Sequence, residues 1–282
     1  MEESILPPGV RFEDGEIVIR MSGTGGLYPY AFGVFAALQD SVDVSGIRLE
    51  TTSGTGFGAV VLFRNYPMRQ VFDLWVRRKC ILFEEVGWWK GLSDAHFVNL
   101  IYHHCMDIAN HAPNPDPPWE GSHTVFVQHA STKRREALTD FETIEEWVGA
   151  ITGSASFQPV PCRLTTFDWK RGSTTGPYLD GDFPGCKDGS LKDCFSFPLP
   201  GSRSVLRHKV VSATFMVVGV FTDQRWMYED GYEDATRLLV PLCLAYICQR
   251  REGQVSSSDT HDGLSKLKPR FDTDRCEFTS QP

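Results

Sequence analysis

The sequence predicts an α/β protein, a three-layer α/β/α domain on a mainly parallel central sheet. Two observations carry that prediction. A β-branched apolar run, "GEIVIRM" (15–21), ends at a glycine-rich turn, "SGTGG" (22–26), and passes into the apolar helix "YPYAFGVFAAL" (28–38). The unit then repeats as "GIRLETT" (46–52), a second glycine-rich turn, and "FGAVVLFRNY" (57–66). Strand–turn–helix units in series require crossover connections, and these make parallel strands covered by helices. The chain has 282 residues, 41% of them hydrophobic, enough to bury a sizeable core.

The remaining elements follow from periodicity. Pro67 opens a helix through "PMRQVFDLWVRRKC", since proline is tolerated in a first helical turn. "SDAHFVNLIYHHCMDIAN" (93–110) is a second helix, capped by Ser93 or Asp94, with Phe97, Leu100, Ile101, Cys105 and Ile108 on one face. "NPDPP" (114–118) is a loop and "HTVFVQHA" (123–130) alternates as a strand. "STKRREAL" (131–138) reads as a solvated turn, and "DFETIEEWVGAI" (140–151) as a helix with an acidic first turn. "KVVSATFMVVGVF" (209–221) is a candidate central strand, and 226–250 is helical with a break before Pro241. These elements form one domain over 1–250. Residues 251–282 turn polar and serine-rich and are expected to be a disordered tail.

Composition excludes several functions. A formal net charge of −8 lacks the basic balance of a nucleic-acid binder. No run approaches a membrane span, and "MEESILPPGV" has acidic residues and prolines where a signal peptide needs a basic end and an apolar stretch, so an intracellular location is expected. The 8 cysteines include no CxxC pair and are read as reduced core thiols. His96, His103, His104 and His111 match no zinc spacing, and no metal is expected. Neither glycine turn has the lysine of a Walker loop, and "SGTGGLY" lacks the third glycine of a dinucleotide fingerprint, so no nucleotide is expected there.

What the two turns share is a device for anions. Glycines let the backbone bend and leave amides uncovered, and each turn opens a helix whose N-terminus carries partial positive charge. A phosphate, or the oxyanion of an attacked ester, would suit such a place.

The ordered set of motifs resembles the patatin-like phospholipases. "MSGTGGLYPYAFGVFAAL" (21–38) is similar to that family's oxyanion segment, "SGTGFGAVV" (53–61) to its Gly-x-Ser-x-Gly elbow, and "GSASFQPVPCRL" (153–164) to the stretch leading to a proline-centred turn. "YLDGDFPG" (178–185) resembles the motif bearing the catalytic aspartate, and "EDGYEDATRLL" (229–239) the last helix. The resemblance implies lipid acyl ester hydrolysis by a Ser–Asp dyad without metal or cofactor. It assigns Gly23, Thr24, Gly25 and Gly26 to the oxyanion hole, Asp180 to the base, and Gly54, Gly58 and Gly181 to motif positions.

Aligned on "GTGFG" (54–58), the nucleophile position holds Gly56, which has no atom that can attack. Ser53 then lies on the strand side with its hydroxyl directed elsewhere, and Thr55 beside the apex. Asp182 is expected to face solvent, away from Asp180. Two readings follow: a lipid acyl hydrolase homologue that binds acyl esters but turns them over poorly, or an interaction or regulatory protein reusing the fold. Trp88 and Trp89, in "VRRKCILFEEVGWWKGL" (76–92), suit contact with a membrane or lipid-droplet surface.

Overall fold

The computed structural model describes residues 9–13, 15–87, 90, 96–111, 121–129, 131–132, 134–156, 167–171, 174–180, 198–204 and 225–251. Their sheet contains β1 (Val10–Glu13), β2 (Glu16–Met21), β3 (Ile47–Thr52), β4 (His123–His129), β5 (Arg135–Leu138), β6 (Phe167–Arg171) and β7 (Thr174–Asp180). Its centre, β2–β3–β4, is parallel. Its margins are not: β1 is antiparallel to β2, β5 and β7 to β4, and β6 to β7. The sheet is therefore mixed, and "STKRREAL" contributes a strand, β5, where a solvated turn was expected. The expected strand at 209–221, the tryptophans at 88 and 89, and the tail from 252 onward lie outside the described residues.

Seven helices are described: α1 (Tyr28–Ser41), α2 (Thr55–Phe63), α3 (Met68–Val86), α4 (His96–His111), α5 (Ile144–Ser154), α6 (Arg225–Leu238) and α7 (Val240–Arg251). α1 is apolar all round and buried from Tyr28 to Leu38, as befits a helix with neighbours on every side. Thr143 caps α5 by accepting from the Glu146 amide at 3.1 Å. The break between α6 and α7 falls at Leu239, two residues before Pro241.

The successive crossovers run the same way across the sheet, so right-handed connections put α1 and α2 on one face. Contacts mark that face: Phe63 of α2 and Trp147 of α5 pack around His123, and Tyr246 of α7 stacks on Phe12. The opposite face carries a charged lattice. Glu50 is held by Arg11 at 2.9 Å and by Arg20, Arg48 pairs with Glu13, and Phe126 lies between the guanidiniums of Arg20 and Arg135. Among the described residues the helices meet the apolar face, and the second helical layer expected from sequence is not represented.

α1 and α6 cross at reciprocal glycines. A β-carbon on Gly33 would meet the Tyr228 carbonyl oxygen at 2.0 Å, and one on Gly231 the Tyr30 carbonyl oxygen at 2.1 Å. The pair is further tied by the buried carboxylate of Asp234, which accepts from Tyr30 at 2.8 Å and from Ser202. Asp234 thereby pins the 198–204 loop to the core.

Candidate functional site

The sharp bend of the second turn sits at Ser53. β3 ends at Thr52, Ser53 takes φ +58°, and α2 begins at Thr55. A positive φ is uncommon for a residue with a β-carbon and must be held by its surroundings. Thr55 Oγ1 accepts from the Thr52 amide at 3.1 Å and donates to the Thr52 carbonyl at 2.7 Å, bracing the strand end against the helix start. The Ser53 amide donates to Ser154 Oγ at 2.7 Å, and Ser154 Oγ donates to the Phe126 carbonyl at 2.6 Å. Ser53 Oγ makes no hydrogen bond among the described residues, and the residue keeps 6% exposure.

The bend thus lies three residues before Gly56, the position the motif alignment gave to the apex. Gly56 lies in the first turn of α2, its amide bonded to the Ser53 carbonyl at 3.1 Å. Its missing side chain makes room for α5: a β-carbon there would stand 2.9 Å from Ile151 Cγ2. Gly58 likewise admits Phe35, whose Cδ2 would be 2.0 Å from an added β-carbon. Thr55, beside Gly56, is fully buried with its hydroxyl committed to the Thr52 backbone. The three-residue difference comes from matching glycine spacing. The usable signal was the strand end, because "IRLETT" puts Ser53 at the first position off the sheet.

Strand pairing locates Asp180 relative to this bend. A strand has two edges. β5 occupies one edge of β4 along Val125–Gln128, while β3 occupies the other up to Phe126, which pairs with Thr52. β7 pairs with Val127, Gln128 and His129, and its edge must be the one β3 has just left. Asp180 pairs with Val127, the rung directly after Thr52–Phe126, and rungs are about 3.3 Å apart. Paired residues share a face, so Asp180 projects on the side of Val127, Val125 and Thr51, the side on which α2 packs. β7 therefore runs end-on into the place where the chain turns away at Ser53. Asp180 is buried, at 3% exposure. Gly181 and Asp182 lie outside the described residues.

The first glycine turn closes the site from the side of β2. Ser22–Thr24 leads into a 3-10 turn, Gly25–Leu27, that is continuous with α1, and Gly25 has φ +49°. The loop touches the elbow directly: a β-carbon on Gly54 would meet Thr24 Oγ1 at 2.8 Å and Tyr28 Cβ at 3.5 Å. Among the described residues the amides of Gly25, Gly26 and Gly54 donate no hydrogen bond. Two helix starts thus meet beside Ser53 with amides that find no acceptor among the described residues, an arrangement that favours negative charge. Thr24 is buried, and among the described residues its Oγ1 has no hydrogen-bond partner.

Two histidines, His123 and His104, belong to the packing. His123 accepts from the Trp147 indole at Nδ1, 2.8 Å, so its Nε2 carries the proton and donates to Thr51 Oγ1 at 2.8 Å. Burial lowers the pKa of His123 to about 3, and burial together with Arg78 does the same for His104. His103 and His111 are exposed on α4 and His96 is half-buried at its start. Among the described residues no group of His, Cys, Asp and Glu is arranged to hold a metal, and no helix is long and apolar enough to cross a membrane.

Comparison with known protein families, with curated proteins and with solved structures finds no match to the chain.

Proposed function

We propose that the chain is a serine acyl hydrolase of patatin-like type, acting on lipid acyl esters, with Ser53 as nucleophile and Asp180 as base. The observation that carries this reading is Ser53 at positive φ on the β3–α2 bend, directly after Thr52, whose rung is next to that of Asp180. A nucleophilic serine has this setting because a strained strand-to-helix bend lifts its hydroxyl clear of both elements. Gly56 is then a packing residue, and the chain does not lack a nucleophile.

In the first half-reaction Ser53 Oγ bonds to the ester carbonyl carbon as its proton passes to the Asp180 carboxylate. The carbonyl oxygen becomes an oxyanion facing the amides of Gly25, Gly26 and Gly54. Its collapse breaks the bond to the alcohol, which leaves with the proton from Asp180. Water then attacks the acyl-serine, giving its proton to Asp180. The fatty acid departs as that proton returns to Ser53 Oγ. Neither metal nor organic cofactor takes part, and no histidine is assigned a role.

Treatment with a fluorophosphonate, followed by peptide mass spectrometry, tests the assignment. The expected adduct is on Ser53 and is lost in Ser53→Ala. Absence of an adduct on folded protein, or one on another serine, overturns it. The second reading, an interaction protein, draws support from Leu74 and Ile81. They stand exposed two turns apart on α3, at 42% and 52%, with Trp226 at 39% at the start of α6. In the hydrolase reading the same residues suit contact with a lipid surface.

A further inference from the structure

We propose that Ser154 is a positioning residue that sets the direction of the Ser53 hydroxyl; this rests on the hydrolase reading above. The need for such a residue follows from the sheet. At the rung where β3 gives way to β7, the Ser53 amide has left the ladder, and the Phe126 carbonyl flanks the changeover. Both groups are in the interior, where an unpaired amide or carbonyl is costly. One hydroxyl serves both: Ser154 Oγ accepts from Ser53 N at 2.7 Å and donates to Phe126 O at 2.6 Å.

Ser154 is itself buried. It is the last residue of α5 and is 1% exposed. The helix beneath it is anchored by Trp147 on His123 and by Ile151 against Gly56. The hydroxyl therefore transmits the position of α5 and β4 to the residue with the strained φ. Phe126 lies one residue before Val127, the partner of Asp180. Nucleophile and base are thus referred to adjacent residues of one strand, and Ser154 makes the connection on the nucleophile's side. Without it, the Ser53 amide has no acceptor among the described residues, and the bend is held by the Thr55 clamp on Thr52 and the Gly56 bond to the Ser53 carbonyl.

The test compares Ser154→Ala with Ser154→Thr, which keeps the oxygen. In folded Ser154→Ala, fluorophosphonate labelling of Ser53 and kcat on p-nitrophenyl butyrate are expected to fall on the order of tenfold, the effect of losing one oriented hydrogen bond. KM should stay within about twofold and the pH profile should keep its shape, because substrate contacts and the base are untouched. Ser154→Thr should recover most of the rate. Amide hydrogen exchange of the Ser53 segment should quicken in Ser154→Ala and not in Ser154→Thr.

Labelling as fast as the parent in Ser154→Ala overturns the proposal, as does equal slowing in both variants, which marks a packing role. If the parent is not labelled at Ser53, the hydrolase reading falls. Exchange then decides alone: unchanged exchange in Ser154→Ala sinks the idea that Ser154 holds the bend, and faster exchange sustains it.

Discussion

Replacing Gly56 by serine separates the two possible positions of the elbow apex. Were residue 56 the apex, the substitution would restore a nucleophile and raise esterase activity. The structure leads to the opposite expectation. The new β-carbon would lie 2.9, 3.3 and 3.5 Å from Ile151 Cγ2, Cγ1 and Cβ, where ordinary carbon contacts begin near 3.5 Å. One contact is well inside that limit, on a side chain whose own position is fixed by the α2–α5 interface. Overpacking of this kind costs about 1–3 kcal/mol. For a domain of this size that corresponds to a fall in Tm of roughly 2–12 °C.

We expect Gly56→Ser to melt lower and to show no gain in hydrolysis of p-nitrophenyl butyrate. Adding Ile151→Ala removes the two nearer carbons and leaves the 3.5 Å contact. The double variant should therefore lose less stability than the sum of the singles, by about 1 kcal/mol or more. A well-folded Gly56→Ser with esterase activity clearly above the parent, removed again by Asp180→Asn, would refute the placement of the apex at Ser53.

Ser53→Gly should lose fluorophosphonate labelling and at least about a thousandfold in esterase activity, as removal of a nucleophile does. It should also unfold at higher urea, because glycine at φ +58° avoids roughly 1 kcal/mol of left-handed strain. Gly33→Ala should fail to yield folded protein at 37 °C by circular dichroism. Its β-carbon meets the Tyr228 carbonyl oxygen at 2.0 Å, and backbone cannot yield as a side-chain tip can. His123 and His104 have folded pKa values lowered to about 3, against about 6.5 unfolded, so between these values the unfolded chain binds more protons. Stability should therefore fall as pH drops from about 6.5, by about 2 kcal/mol per histidine at pH 5, measured by urea titration. The decline should be shallower in His123→Gln.

Much of the fold was legible because the signals are local. The run "GEIVIRM", the turn "SGTGG" and the helix from Tyr28 follow one another within a few residues, and each is decided by its own side chains and backbone freedom. The same holds for the acidic first turn of α5 and the break before Pro241. The short marginal strands were less legible. "REAL" in β5 has the composition of an exposed turn and is a strand because β4 offers it an edge.

The site divides along the same line. Sequence alone determined that two glycine-rich turns, each opening a helix, stand at the ends of adjacent parallel strands, and it singled out Asp180. Spacing could not decide which residue of "TSGTGFG" occupies the bend. The helix can start at several points in such a run, and every glycine in it tolerates a turn. Packing made the choice. Ile151 and Phe35 fill the space over Gly56 and Gly58, which keeps both inside α2, and Thr55 and Ser154 hold the strand end so that the positive φ falls on Ser53. Ser154 is 101 residues away from the amide it binds, and Asp180 reaches the bend only because β7 takes over the edge of β4 that β3 has left. Contacts between such distant residues depend on how the elements pack, and that is why the tertiary structure alone settled them.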